Sequence, residues 1–268
     1  MVFNEIPGWF SYQQIYDSVV ESGNNNSLFV ELGSWFGKST NYMATKIKES
    51  GKTINFTAID TWKGTDDEIL HQNIVGSYGG DIFSEFMENT IFKPLGMKNT
   101  HVFSTTVFKK IPVDVVGHDR VWRRSVVQNF LDGPVGDKGI YSTLHDLYLF
   151  DRAMRAGKVL QKASLDSAYT PRNPLQYAHF SYGYGWRLFE APNQQVVYHT
   201  GWWHGFRHIF VRDLKNDVTL IFLSNLTNGS LLGLDDLYRL LQVPVIRRNA
   251  YSRAGEYIGG VSAEAADD

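Results

Sequence analysis

Tyr198-His199-Thr200-Gly201-Trp202-Trp203-His204-Gly205-Phe206 joins two short apolar segments, and its reading decides the fold of the C-terminal half. Four strands are expected around it: Tyr182–Phe189, Gln194–His199, Phe206–Arg212 and Val218–Leu223. Pro192-Asn193 and Lys215-Asn216-Asp217 supply turns between them. Connections this short leave room only for hairpins, so the strands run antiparallel. Leu234–Leu241 reads as a closing helix, and the small, acidic tail after Tyr257 is expected to fray. Upstream, Thr143–Ala156 is the clearest helix of the chain. Thr143 can cap it with Asp146 three residues on, and Leu144, Leu147, Phe150 and Met154 repeat at helical spacing. Gly157 supplies the stop.

The N-terminal third has a different pattern. Residues 9–22 read as a helix that packs Phe10, Ile15, Val19 and Val20. Leu28–Leu32 is apolar apart from Glu31, which is the composition of a strand buried in a parallel sheet. A helix over Ser39–Ser50 follows, stopped by Gly51, and Ile54–Ile59 is a second strand ending at Asp60. Strand, glycine loop, helix and strand in this order make half of a dinucleotide-type fold. Asp66–Thr90 is expected to be mostly helical, and residues 101–138 to be rich in loops.

Composition narrows the classes of function. An apolar fraction of 43%, with 14% aromatics, is ample for a buried core. The net charge of −2 gives no electrostatic reason to expect a nucleic acid or an anionic membrane surface as partner, and a small-molecule ligand is expected instead. The absence of cysteine excludes disulfides, thiolate metal sites and a cysteine nucleophile. The first seven residues lack a basic start and an apolar run, and Leu220–Leu223 is far too short to span a bilayer. A soluble, cytoplasmic protein is the expectation. His199, His204 and His208 fall across a strand, a turn and a second strand with no accompanying carboxylate, so they read as fold residues and no metal site is expected.

Several stretches in order resemble the superfamily of serine β-lactamases, penicillin-binding proteins and related esterases. They are Phe92-Lys93-Pro94-Leu95-Gly96-Met97, Gly139-Ile140-Tyr141-Ser142-Thr143-Leu144-His145-Asp146-Leu147, Tyr182-Gly183-Tyr184-Gly185-Trp186, His199-Thr200-Gly201 and Leu223-Ser224-Asn225, and the resemblance covers about residues 88–242. Such enzymes attack an acyl carbonyl with a serine activated by the lysine of a Ser-x-x-Lys box. No serine of this chain has lysine three residues later, and a Tyr-x-Asn box is also absent. The third box is present as His199-Thr200-Gly201, with histidine in place of lysine. By the resemblance this strand lines the acyl cleft, His199, Thr200, Gly201 and Trp202 are the catalytic-site residues, and the Trp202 N–H helps form an oxyanion hole. An oxyanion donor without a nucleophile has no charge to stabilise. A different serine–histidine set, for instance Ser224 with His199, has nothing in the sequence to support it.

The N-terminal loop has competing readings. Gly37-Lys38-Ser39 has the end of a phosphate-binding loop, but three residues separate Gly33 from Gly37 where that loop needs four. A Gly-x-Gly-x-x-Gly dinucleotide motif is absent. Glu31-x-Gly33-x-x-x-Gly37, followed by Ala58-Ile59-Asp60-Thr61-Trp62-Lys63-Gly64, resembles class I S-adenosylmethionine-dependent methyltransferases over about residues 1–90. By that resemblance Glu31, Gly33 and Gly37 line the methionine and ribose end of S-adenosylmethionine, and Asp60 holds the ribose hydroxyls. The alternative is a βαβ unit whose glycines only make a turn.

The expected fold class is mixed α/β, a Rossmann-like βαβ fragment followed by an antiparallel sheet with flanking helices. The expected regions are 1–90, 91–242 and a tail over 243–268. Three functions stay open: a catalytically incomplete β-lactamase-like protein, an S-adenosylmethionine-binding protein or methyltransferase, and a non-enzymatic fold remnant or binding module.

Overall fold

The computed structural model describes residues 3–62, 72–73, 76, 81–103, 115–119, 125–126, 138–172, 180–227, 233–243, 257–258 and 261–262. The chain divides into two compact units, Met1–Pro112 with Phe130–Ala153, and Val113–Asn129 with Met154–Asp268. The boundary read near residue 90 therefore falls inside the first unit. Among the described residues no helix is long and apolar enough to cross a membrane.

The first unit begins with α1 (Gln13–Ser22), β1 (Leu28–Leu32), α2 (Lys38–Ser50) and β2 (Asn55–Ile59). β1 and β2 pair in parallel, from Leu28↔Asn55 to Leu32↔Ile59. Phe29 and Phe56 turn toward Val20, Met43, Ile47 and Ile54, which form the small core beneath α1 and α2. The opposite face is not covered: Leu28, Val30 and Leu32 are 65%, 52% and 77% exposed, and Ile59 is 52% exposed. The expectation of a strand buried on both faces is thus corrected, because no described element packs on the second face. Helix α1 starts four residues later than expected, leaving Trp9 and Tyr12 in the preceding loop.

Gly37 and Gly51, both with positive φ, bound α2 at its two ends. Gly37 has a second constraint. A Cβ there would lie 2.7 Å from Thr90 Cγ2 and 3.0 Å from Phe86 Cδ2. Those side chains belong to α3 (Ile82–Met87) and the wide helical turn Glu88–Phe92 that continues it. Asp81 caps α3 by accepting from the Ser84 N–H at 2.9 Å. The helix expected from Asp66 lies largely outside the described residues up to this point. A last turn, Lys93–Leu95, stops at Gly96, whose φ of 74° is left-handed. Then follow β3 (His101–Val102), its antiparallel partner β4 (Ile140–Tyr141) and α4 (Leu144–Arg155). Thr143 caps α4 as expected, accepting from the Asp146 N–H at 3.2 Å. The Asp146 carboxylate is buried and accepts from Asn99 N–H and Thr100 Oγ1, which ties the segment after Gly96 to the start of α4. Leu149 and Phe150 pack with Phe92, Met97 and Val102.

The second unit holds α5 (Lys162–Ala168) and a five-stranded antiparallel meander. Its strands are β5 (Phe180–Tyr182), β6 (Arg187–Ala191), β7 (Gln194–Trp203), β8 (Phe206–Asp213) and β9 (Val218–Ser224). The single strand expected over Tyr182–Phe189 is two strands, because the turn chemistry of its glycines overrides the apolar run. A Cβ at Gly183 would meet the Ala168 carbonyl at 2.0 Å, and Gly185 has φ +68°. The Tyr184 N–H donates to that same carbonyl at 2.9 Å. One face of the meander presents Phe189, Val196, Tyr198, Ile209, Val211 and Leu220 to Tyr238 of α6 (Asp235–Leu240). The other face carries Val197, His199, His208, Phe210 and Arg212. Arg212 is fully buried and donates to the Tyr169 hydroxyl at 2.5 Å. Tyr257–Ile258 (β10) pairs with Val261–Ser262 (β11), and the rest of the tail lies outside the described residues, as does most of the loop-rich stretch 101–138.

Two outcomes follow for stability. Gly37→Ala must take a left-handed φ and displace Thr90 and Phe86, so it is expected to cost about 2–4 kcal/mol in urea unfolding. Gly51→Ala, where the Cβ meets open space, is expected to cost only about 1 kcal/mol. Equal losses at the two sites would remove the packing argument. Burial pushes the His208 imidazole below its ordinary value, and its Nδ1 accepts the Ser224 N–H at 3.3 Å, which requires the neutral ring. The stability this ring contributes is present above the unfolded-state value of about 6.5 and is lost as pH falls through the lowered folded value. Wild type should therefore lose urea resistance from neutral to mildly acidic pH more steeply than His208→Gln, and parallel profiles would contradict this role.

Candidate functional site

In the second unit, the stretch that carries the hydrolase resemblance lies on β7 and in the turn after it. His204 and Gly205 both have positive φ, 39° and 82°, as a two-residue turn of the twisted hairpin type requires. A Cβ on Gly205 would meet His118 N at 2.3 Å, so the turn is pressed onto the segment Val115–Asp119. That segment is also held by β9's exit, since the His118 N–H donates to the Asn225 carbonyl at 2.8 Å.

This turn fixes the register of β7 on β8, with His199 opposite Phe210, Thr200 opposite Ile209, Gly201 opposite His208 and Trp202 opposite Arg207. The pairing of β7 with β6 ends at Arg187↔Tyr198. The Gln195 carbonyl faces β8, where it accepts from Leu214, so odd-numbered residues of β7 direct their backbone groups to β8. The backbone groups of Thr200 and Trp202 consequently point to the opposite edge, past the end of β6.

His199 is exposed, and its ring is held at both nitrogens. Nδ1 lies 2.8 Å from the Thr200 carbonyl and Nε2 lies 3.0 Å from the Tyr182 hydroxyl. A carbonyl only accepts, so Nδ1 carries the hydrogen. In the neutral ring Nε2 then accepts the Tyr182 proton. Trp202 is exposed with the Arg207 guanidinium 5.8 Å from its ring centre. Trp203 stacks on His204 at 4.5 Å. Ser224 is not brought to His199, because its Oγ bonds the Leu226 backbone instead. The sequence pattern places Tyr182 at the start of an expected strand and does not join it to His199, since the two are on strands separated by β6.

In the first unit, a cleft of about 330 Å³ lies beside the loop after β1. Trp9, Gly33, Trp35, Lys38, Asp60 and Thr61 are among its lining residues. Trp9 stacks on Trp35 at 5.4 Å, and Lys38 Nζ donates to the Gly8 carbonyl at 2.9 Å. Asp60 organises the loop. Its Oδ2 accepts the Ser34 and Trp35 N–H groups at 2.6 and 2.8 Å, and its Oδ1 accepts the Trp62 N–H at 2.7 Å. These bonds hold Trp35 and Trp62 at the positive φ values of 46° and 58°.

The four residues assigned to S-adenosylmethionine by resemblance have separate surroundings. Glu31 is buried and accepts from the hydroxyls of Tyr16, Ser34 and Thr40. Burial, and then the Glu31 carboxylate, raise the Tyr16 phenol above its ordinary value, so it stays a donor. Gly37 is filled in by Phe86 and Thr90. Gly33 and Asp60 face the cleft, but a carboxylate oxygen that already accepts two amides has no lone pair left, so Asp60 cannot grip a diol with both oxygens. The four do not together fit the cofactor grip that the resemblance implies.

The β-lactamase family model matches residues 65–243, about two thirds of the chain. Penicillin-binding protein 4* of Bacillus subtilis (strain 168) is 30% identical over 171 residues, which are 59% of this chain and 38% of the relative. The putative penicillin-binding protein PbpX of the same organism is 27% identical over 172 residues, 63% of this chain and 41% of the relative. The chain thus spans about two fifths of the length of these curated relatives. Among solved structures, the penicillin binding protein from Bacillus halodurans shares the fold with a TM-score of 0.50 at 20% identity, over 62% of this chain and 52% of that one. With the meander, its flanking helices and the His-Thr-Gly strand, these matches establish that the chain belongs to the β-lactamase family.

Proposed function

We propose that these 268 residues form a β-lactamase-like hydrolase scaffold that does not carry out the serine–lysine acylation step. The single observation behind this reading is that no serine in the chain is followed by lysine at the third position, while the His199–Trp202 strand is retained. His199, Thr200, Gly201 and Trp202 would then contribute one wall of an acyl site. The backbone N–H of Trp202, directed past the end of β6, is the group that would face an acyl oxygen.

A second reading keeps S-adenosylmethionine as a ligand of the N-terminal cleft. Gly33 and Asp60 share that cleft, and a Cβ at Gly33 would meet open space. Against it stand the three amides that already occupy the Asp60 carboxylate.

The first reading is checked with a fluorophosphonate probe and with a labelled penicillin, followed by mass mapping of the full chain. No serine adduct is expected, and a stable adduct on any serine would overturn the reading. The second is checked by a thermal melt. Ligand at 100 times its dissociation constant would add about 2.7 kcal/mol to stability. A midpoint unmoved by millimolar S-adenosylmethionine removes the cofactor, whereas a rise that is weaker in Asp60→Asn supports it.

A further inference from the structure

Tyr182 and His199 are arranged as more than a packing pair. The Tyr182 hydroxyl lies 3.0 Å from His199 Nε2, and the two rings meet edge to face at 81°. The Thr200 carbonyl, 2.8 Å from Nδ1, fixes the ring's tautomer and leaves the Nε2 lone pair directed at the phenol. A hydroxyl, a base within hydrogen-bond reach and a third group that orients the base are the three parts of an activated nucleophile. Both side chains stand on strands of one sheet rather than on a loop. Tyr182 is further anchored through its backbone carbonyl, which accepts the Arg172 N–H at 2.8 Å. The glycine turn that follows it is locked on the Ala168 carbonyl. His199 is exposed and Tyr182 half-buried, so an acyl group can approach the pair from solvent.

We propose that Tyr182 and His199 form a nucleophile–base pair that accepts acyl groups from activated aryl esters. Tyr182 Oη bonds to the acyl carbon as its proton passes to Nε2. The tetrahedral intermediate then breaks its bond to the aryl oxygen, which leaves with the proton from Nε2. The products are O-acyl-Tyr182, the free phenol and a neutral imidazole. Water returns the tyrosine by the same route in reverse, with Nε2 taking a proton from water and giving it to the departing phenolate. The leaving group sets the substrate class. A tyrosine phenol has an ordinary pKa of about 10, so the intermediate expels tyrosine in preference to an alkoxide or an amide nitrogen. Only an ester whose leaving group is more acidic than tyrosine partitions forward. The pair would therefore act on aryl esters and leave alkyl esters and amides untouched. This inference is independent of the serine-free reading above, and the two fail on different observations.

The test uses the full chain and 4-nitrophenyl acetate. The expected result is a burst of nitrophenolate up to one equivalent, with the acetyl group mapped to Tyr182 ahead of the exposed Tyr12, Tyr148 and Tyr184. Tyr182→Phe should abolish the burst, and His199→Gln should slow it by about 100-fold, the ordinary contribution of a general base. Mapping on the unaltered protein decides the matter even where a variant fails to fold. Acetyl found on other side chains with none on Tyr182, or an equal burst rate in folded His199→Gln, overturns the proposal. A serine adduct with the fluorophosphonate probe would instead overturn the serine-free reading and leave the tyrosine result to stand by itself.

Discussion

The two-residue turn at His204–Gly205 is the constraint on which the second unit depends. Side chains alternate across a strand, so a slip of one residue would turn every side chain of β7 to the other face. Val196 and Tyr198 would leave the core they share with Ile209, Val211 and Tyr238, and His199 would be driven into it. The turn opposes this because only glycine at position 205 fits against the Gly117–His118 backbone, so a slip would press a side chain into it. Register, the covered core and the placement of His199 beside Tyr182 are therefore consequences of one close approach between backbones. The direction of the Thr200 and Trp202 backbone groups follows from the same register, combined with the early end of β6 at Arg187.

Much of this unit was legible in the sequence because period-two patterning and turn residues agree there. The β7, β8 and β9 strands are readable there, as is the closing helix, and in the first unit the cap of α4 at Thr143 is equally readable. The Tyr182–Trp186 stretch was misread for a definite reason. Its aromatic residues continue the apolar run, so the pattern looks like one strand. What breaks the run is the contact of Gly183 with the Ala168 carbonyl, a contact made across the fold. The pairing of Tyr182 with His199 was not legible either, because spacing along a chain does not report which residues a third strand brings together. The expected start of α1 is too early because Phe10 fits an apolar helical face, whereas Trp9 stacks on Trp35 in the loop before it.

The N-terminal loop shows the opposite balance. The order of strand, helix and parallel strand was readable, but the roles of individual residues were not. An acidic residue at the end of a second strand can serve a ligand or its own loop, and three amides decide for the loop at Asp60. A glycine at a helix start can admit a ligand or a neighbouring side chain, and Phe86 with Thr90 decide for the neighbour at Gly37. Both decisions involve groups that the local motif does not contain. The family model begins at residue 65 and so shares no residue with this loop.

The bare face of Leu28, Val30, Leu32 and Ile59 bears on how the chain breathes. Among the described residues β1 and β2 have one neighbour each and one covered face, whereas β7 and β8 are each flanked on both sides. Amide hydrogens on the parallel pair can reach water through a small local opening, with a free energy below that of global unfolding. Those at the centre of the meander exchange only when a larger part of the sheet separates. Slow exchange in this molecule will consequently trace the strands around Val196 to Val211, and the N-terminal pair will lose its label first.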